Sequence, residues 1–132
     1  MALVRRDKLK QKGFKRFINS FGYAINGFVY AFKYEQNILV HTLATILVVI
    51  LGIVLNISQT EWLFVFLIIG LVVATELINT SIEAVVDLIS PDEHPLAKIA
   101  KDTAASAVMV FAIVSVLIGI FIFVPKIIEA LL

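Results

Sequence analysis

Three long apolar stretches dominate the pattern of hydrophobic and polar positions along the chain. They run from Ile38 to Ile57, from Trp62 to Ile82 and from Ala104 to Pro125. A helix of about 20 residues crosses a hydrocarbon core of about 30 Å, so each stretch predicts one transmembrane helix. The short polar connection over residues 56–61 predicts a tight hairpin between the first two helices.

The segment before the first stretch has a different pattern. From Phe14 to Phe32, apolar residues recur at steps of three and four, with Lys15, Arg16 and other polar residues between them. This pattern predicts an amphipathic helix lying in the membrane interface. Residues 1–12 are basic and polar, and we expect them to form a flexible arm drawn toward anionic headgroups. The segment lacks the apolar core and cleavage site of a signal peptide, so we expect it to be retained.

The connection after the second stretch is polar and contains two prolines, Pro91 and Pro95. Proline ends a helix because it lacks the amide N–H and clashes with the preceding turn. Residues 96–101 are expected to lead helically into the third span, with Asp102 as a candidate cap.

Composition and charge place these elements in a membrane. The chain of 132 residues is 61% hydrophobic and 16% charged, with a mean hydropathy of +1.01. Eight of its eleven Lys and Arg residues lie at or before Lys33, which predicts a cytoplasmic N-terminus, a cytoplasmic second connection and an external C-terminus. We therefore predict a single-domain, all-α membrane protein over residues 1–132, with an arm and surface helix in residues 1–35. The absence of cysteine excludes disulfides and thiolate chemistry.

A polar stripe interrupts the second apolar stretch. Glu76, Asn79, Glu83 and Asp87 share one face of the predicted helix. A charged side chain at bilayer depth costs about 2.5–3.5 kcal/mol, so the stripe is a candidate functional site. The alternative is a helix that enters water early and leaves its last carboxylates solvated, which suits Asp87 better than Glu76.

Small residues at helix-packing spacing, such as Gly70 and Ala74, permit close helix contacts. Because three spans are few to enclose a polar stripe, a homo-oligomer that buries the stripe between protomers is physically attractive.

Other polar residues have open interpretations. His41, about one turn inside the first span, is expected to be a structural histidine near the interface. Lys101 could extend toward the membrane surface and His94 could be a solvated loop residue, or both could belong to a site. Glu35 lies at the junction of surface helix and first span, at headgroup depth.

The candidate chemistry is phosphoryl transfer. The sequence has neither a glycine-rich phosphate loop nor a histidine pair at zinc spacing. It places carboxylates and cations near one cytosolic interface, as Mg²⁺ and substrate phosphates require; they are Glu35, Glu76, Glu83, Asp87, Asp102, Arg16 and Lys101.

These residues carry a resemblance to a known family. The run from Glu76 to Asp87, followed by His94 and Lys101-Asp102, resembles the prokaryotic integral-membrane diacylglycerol kinases, whose Gram-positive members are mostly undecaprenol kinases. Upstream, residues 13–16, Gly22-Tyr23 and Glu35 keep the family's order and spacing.

The resemblance implies a homotrimer in the bacterial cell membrane that transfers the γ-phosphate of MgATP to a lipid hydroxyl at the cytoplasmic face. By this resemblance Glu76 is the general base, Glu35 and Glu83 hold Mg²⁺, and Asn79 and Asp87 belong to the shared motif. The implied nucleotide-site residues are Arg16, Tyr23, Glu35, Glu83, Asp92, His94, Lys101 and Asp102. No nucleic-acid partner is expected.

The resemblance includes two branches of the family that differ in their lipid substrate. Diacylglycerol kinases of Gram-negative type have a lipid-contacting serine where this chain has Ala105, with Ser106 beside it. Gln36, Asn37 and His41 look more like the Gram-positive branch. We therefore favour undecaprenol over diacylglycerol. A small proton-coupled transporter and a purely structural membrane protein are the rival classes, and lipid-dependent ATP consumption would separate all three.

Overall fold

The computed structural model describes residues 13–92 and 94–132, and this part of the chain is helical with no strand. The helices are α1 (Phe14–Tyr34), α2 (Gln36–Val54), α3 (Gln59–Ile89) and α4 (Pro95–Leu131). The last three are each long and apolar enough to cross a membrane. The predicted all-α membrane protein with three transmembrane helices is confirmed. The basic arm predicted for residues 1–12 lies outside the described residues.

The structure divides between Tyr34 and Glu35 into two compact units. The first unit contains α1, which follows Gly13 in the left-handed region at φ 123°. Glycine adopts this conformation readily, and here its carbonyl accepts the amides of Arg16 and Phe17. The predicted helix is thus present, whereas its location in the membrane interface stays a prediction.

The second unit contains α2, α3 and α4. A tight turn joins α2 to α3, with Asn56 at φ 50°. Ser58 and Glu61 form a capping box: the Glu61 amide donates to Ser58 Oγ at 3.3 Å, and the Ser58 amide donates to Glu61 Oε2 at 2.6 Å. Helix α2 ends at Val54, and Glu61 belongs to the first turn of α3. The limits of the membrane spans, predicted as Ile38 to Ile57 and Trp62 to Ile82, stay predictions.

The apolar core lies at the end of this bundle near the α2–α3 turn. Its buried members are Ile57, Val65, Ile122 and Phe123. Lys126 Nζ lies 3.6 Å from Glu61 Oε2 and so connects the last turns of α4 to the start of α3. Packing at this end of the bundle fixes how the three helices are aligned at the polar end.

At the polar end, α3 and α4 extend further than α2. Since α2 has 19 residues and α3 has 31, about three turns of α3 extend beyond the level of Gln36. The helix of the third span begins at Pro95, and the His94 side chain caps it by accepting the Leu96 amide at 3.2 Å. The prediction of an Asp102 cap is therefore wrong, because proline at the first helical position starts the helix two turns earlier.

Candidate active site

The deepest polar residue of α3 is Glu76, which is 2% exposed. Its neighbour on α2 is His41, whose Nε2 lies 3.0 Å from Glu76 Oε1. This is within ion-pair distance, although that oxygen accepts no well-directed hydrogen bond from the described residues. A narrow cavity of about 90 Å³ extends from His41 between the three helices, and its lining is apolar apart from His41, Thr45 and Ser115. His41 thus lies between the Glu76 carboxylate and a largely apolar cavity that Glu76 itself does not line.

One turn further along α3, Asn79 and Glu83 form a pair. Asn79 Nδ2 donates to Glu83 Oε1 at 2.9 Å. Asn79 is 5% exposed, and its Oδ1 is buried without a hydrogen-bond partner among the described residues. Asn79 therefore orients Glu83 while offering a free oxygen of its own.

Glu35 approaches the same carboxylates from α2. It occupies the N-cap position of that helix without using its side chain as a cap, so its carboxylate is free for another partner. Both Glu35 and Glu83 lie in the vicinity of the Glu76 carboxylate. A common site formed by these three residues stays a prediction.

The projecting ends of α3 and α4 carry the remaining charges. Lys101 Nζ donates to Asp87 Oδ1 at 2.7 Å, and Lys98 pairs with Asp102 one turn apart. Between them lies a polar cavity of about 620 Å³, whose lining includes Asp87, Asp92, His94, Lys98 and Lys101. Asp102 points to Lys98 instead of lining this cavity.

The remaining predicted residues belong to α1 and α4. Arg16 and Tyr23 belong to α1, in the other unit, and both are exposed. Ala105 and Ser106 are exposed on α4, and Ser106 Oγ donates to the Asp102 carbonyl at 2.7 Å. The hydroxyl of Ser106 is therefore engaged by its own helix.

The donor set fits a magnesium ion. No three His, Asp or Glu side chains converge as a cage within residues 13–92 and 94–132. Mg²⁺ needs no such cage, because it keeps waters and binds through one or two carboxylates together with substrate phosphates. Glu35, Glu83 and the partnerless Asn79 Oδ1 supply hard oxygen atoms of that kind.

Comparison with known proteins decides the family. Residues 22–123 match the family model for prokaryotic diacylglycerol kinase. The chain is 47% identical over 111 residues to an undecaprenol kinase of Bacillus subtilis, covering 84% of this chain and 90% of that protein. This chain belongs to the prokaryotic diacylglycerol kinase family. Its predicted membership of this family is thereby confirmed, as is its class as a lipid kinase rather than a transporter or structural protein.

Other members of the prokaryotic diacylglycerol kinase family are also similar. A diacylglycerol kinase of Synechocystis is 41% identical over 101 residues, covering 76% of this chain and 58% of the relative. One of Pseudomonas aeruginosa is 35% identical over 97 residues, covering 74% of this chain and 79% of the relative. The family therefore includes relatives named for two different lipid substrates.

Sequence reasoning missed two contacts in this family member. It treated His41 as a structural histidine and named no partner for it, and it did not predict the ion pair between Lys98 and Asp102. The signal for the first contact was present: His41 and Glu76 both lie about four to five turns from the α2–α3 turn, on helices that run antiparallel.

Proposed function

We propose that this protein is an undecaprenol kinase, which transfers the γ-phosphate of MgATP to the hydroxyl of a membrane lipid. The observation that supports this most directly is the buried carboxylate of Glu76 next to His41, which lines an apolar cavity between the three helices. A carboxylate in hydrocarbon surroundings costs free energy, so its presence there indicates a function. Proton abstraction from a lipid alcohol is a function that requires this depth.

The proposed reaction balances without another reactant. The lipid oxygen forms a bond to the γ-phosphorus as the bond between that phosphorus and the bridging oxygen of ADP breaks. Glu76 accepts the hydroxyl proton, and ADP leaves with the electron pair of the broken bond. Catalysis then consists of positioning and charge stabilisation, which is usual for phosphoryl transfer.

Glu35 and Glu83 would hold the Mg²⁺ ion in this proposal. The ion supplies neutralisation of the phosphate charge when bound. Asn79 keeps Glu83 oriented through its 2.9 Å hydrogen bond.

The polar cavity between α3 and α4 is proposed to bind the nucleotide. Asp92, His94 and Lys101 line it, and Lys101 provides a cation for a phosphate group. Lys101 and Asp102 are paired with Asp87 and Lys98, so nucleotide binding would compete with these two ion pairs. Roles for Arg16 and Tyr23 in nucleotide binding stay predictions that rest on the resemblance.

Undecaprenol is favoured as the acceptor over diacylglycerol. The 47% identical relative is named undecaprenol kinase, whereas relatives with lower identity are named diacylglycerol kinase. Ala105 also lacks a hydroxyl, and that of Ser106 is taken by its helix, so neither residue supports contact with the glycerol group.

The proposal includes a homotrimer with its sites at the cytoplasmic face. Burial of Glu76 and Asn79 does not require an oligomer, however, because both are already buried within a single chain. What still supports assembly is the number of large apolar side chains left exposed, among them Leu43, Leu63 and Phe121. Lipid and neighbouring protomers would share that surface.

The deciding experiment measures transfer of labelled γ-phosphate from MgATP to undecaprenol and to diacylglycerol in parallel micelles. We expect lipid-dependent transfer with a higher kcat/KM for undecaprenol. Glu76→Gln is the matched control for background hydrolysis. Preference for diacylglycerol would reverse the substrate assignment, and lipid-independent ATP turnover would reject the kinase.

A further inference from the structure

Glu76 has one close basic neighbour, and that neighbour comes from another helix. Among the described residues, His41 is the only basic side chain within ion-pair distance of the Glu76 carboxylate. The carboxylate side chain is 3% exposed and the imidazole 22%. The orientation of the buried carboxylate therefore depends on a ring that itself reaches the edge of the site.

The imidazole is on a part of α2 that includes a fully buried side chain. Ile38, one turn before His41, is 1% exposed. Thr42 beside it uses its hydroxyl within the helix, donating to the Ile38 carbonyl at 2.7 Å. Of these two adjacent polar side chains, that of His41 is the one directed to Glu76.

We infer that His41 is a positioning residue for the lipid kinase reaction: its Nε2–H holds the Glu76 carboxylate in the orientation that accepts the lipid hydroxyl proton. This inference rests on the proposed function. A general base contributes fully only when it is held within about 0.5 Å of its productive geometry. A donor on a neighbouring rigid helix restricts the rotation that a buried carboxylate would otherwise retain.

The geometry separates this role from simple packing. His41 Nε2 lies within hydrogen-bond reach of Glu76 Oε1, yet the oxygen has no well-directed bond. Catalytic hydrogen bonds are often poorly aligned without substrate and tighten in the reactive complex. The contribution of His41 should consequently be found in kcat and not in stability or in MgATP binding.

The test compares two substitutions at one position. His41→Leu removes the donor, and we expect kcat to fall about 10- to 100-fold, the usual range for a hydrogen bond to a charged group. The KM for MgATP and the melting temperature should stay unchanged. His41→Gln places an amide donor at a similar reach and should restore kcat to within a few-fold of wild type. Thr42→Val is the control. It keeps the side-chain shape next to His41 and removes only a hydroxyl that is bonded within its own helix, so its kcat should match that of wild type.

A double variant tests whether His41 acts through Glu76. In a Glu76→Gln background, His41→Leu should cause no further loss, because residues that act as a unit are not additive. Equal kcat for His41→Leu and wild type, equal loss in the Leu and Gln variants, or a full further loss in the double variant would each overturn the inference. Should His41→Leu fail to fold, His41→Asn, whose amide is too short, provides the same contrast with His41→Gln. Absence of lipid-dependent turnover in the wild type would instead reject the proposed function.

Discussion

Exposure increases steadily along the polar face of α3. Glu76 is 2% exposed and Asn79 5%, Glu83 is half-buried, and the Asp87 side chain is 64% exposed. The face therefore passes from an environment suited to a lipid hydroxyl to one suited to a hydrated ion and a nucleotide. This gradient leads us to expect different kinetic roles for carboxylates that are only seven residues apart.

Replacing Glu76 by Gln keeps the shape of the side chain but removes the proton acceptor. We expect kcat to fall about 10²–10⁴-fold, the usual contribution of a general base, with MgATP affinity little changed. Glu83→Gln should lower affinity and turnover together. Steady-state kinetics and equilibrium nucleotide binding on both variants measure this contrast. Turnover of Glu76→Gln within a few-fold of wild type would remove the base role and make Asp102 the next candidate.

The second residue-scale prediction concerns Glu35. Since Mg²⁺ binds through few protein carboxylates, removing one hard anionic oxygen should weaken MgATP binding markedly. Calorimetric titration of Glu35→Gln should show this loss in Mg²⁺ and little difference from wild type when EDTA removes the ion. Glu129→Gln, on the exposed end of α4, is the control. MgATP binding by Glu35→Gln equal to wild type would separate Glu35 from the metal.

The polar stripe on α3 could be predicted from sequence because a helix fixes which residues share a face. Helix lengths place His41 at roughly the level of Glu76, but their contact could not be predicted, since it also depends on how α2 and α3 are rotated and aligned against each other. The same limit applies to Lys101, whose pairing with Asp87 depends on the length of the α3–α4 connection. Contacts within a helix follow from periodicity, whereas contacts between helices require the turn geometry.

Helix length is the clearest discrepancy at the scale of the elements. The apolar run predicts a second span over residues 62–82, while α3 extends over Gln59–Ile89. Hydropathy marks only the part of a helix that suits lipid, and the helix continues until proline stops it at Pro91. The additional turns carry Glu83 and Asp87, so the proposed site extends beyond the apolar run.

Close approach of α2 and α3 depends on a glycine. A methyl group built at Gly52 would lie 2.7 Å from the Trp62 ring, whereas one at Gly70 would have no atom of residues 13–92 or 94–132 within 4 Å. We therefore expect Gly52→Ala to lower stability by about 1–3 kcal/mol, the usual cost of overpacking. Gly70→Ala should be neutral or slightly stabilising in an isolated chain. Thermal denaturation in detergent compares the two variants.

The outcome for Gly70→Ala also reports on assembly. A loss of stability for this variant, which the single chain does not explain, would indicate a protomer contact at the small-residue face that includes Ala74. An unchanged melting temperature for Gly52→Ala would contradict the tight α2–α3 packing.

For the whole molecule, sequence establishes the number of spans and the family but leaves the assembly open. A single chain with three apolar helices exposes much hydrophobic surface. Lipid and another protomer can both cover that surface, so exposure alone fixes no oligomer number. The orientation in the membrane can be predicted from sequence, because basic residues before Glu35 favour a cytoplasmic N-terminus. With this orientation we expect the two ends of α3 to lie on opposite sides of the membrane, with the proposed carboxylate site on the side that contains ATP.

This orientation can be tested directly because the chain has no cysteine. Cysteine replaces Gln59 in one variant and Ile89 in another; both positions are exposed at opposite ends of α3 and avoid the Ser58 cap. In intact cells an impermeant thiol reagent should label the Gln59→Cys variant and leave Ile89→Cys unlabelled until the membrane is permeabilised. Labelling of both after permeabilisation controls for accessibility. The reverse pattern in intact cells would place Glu83 and Lys101 outside, where there is no ATP to bind, and would overturn the proposed site together with the orientation.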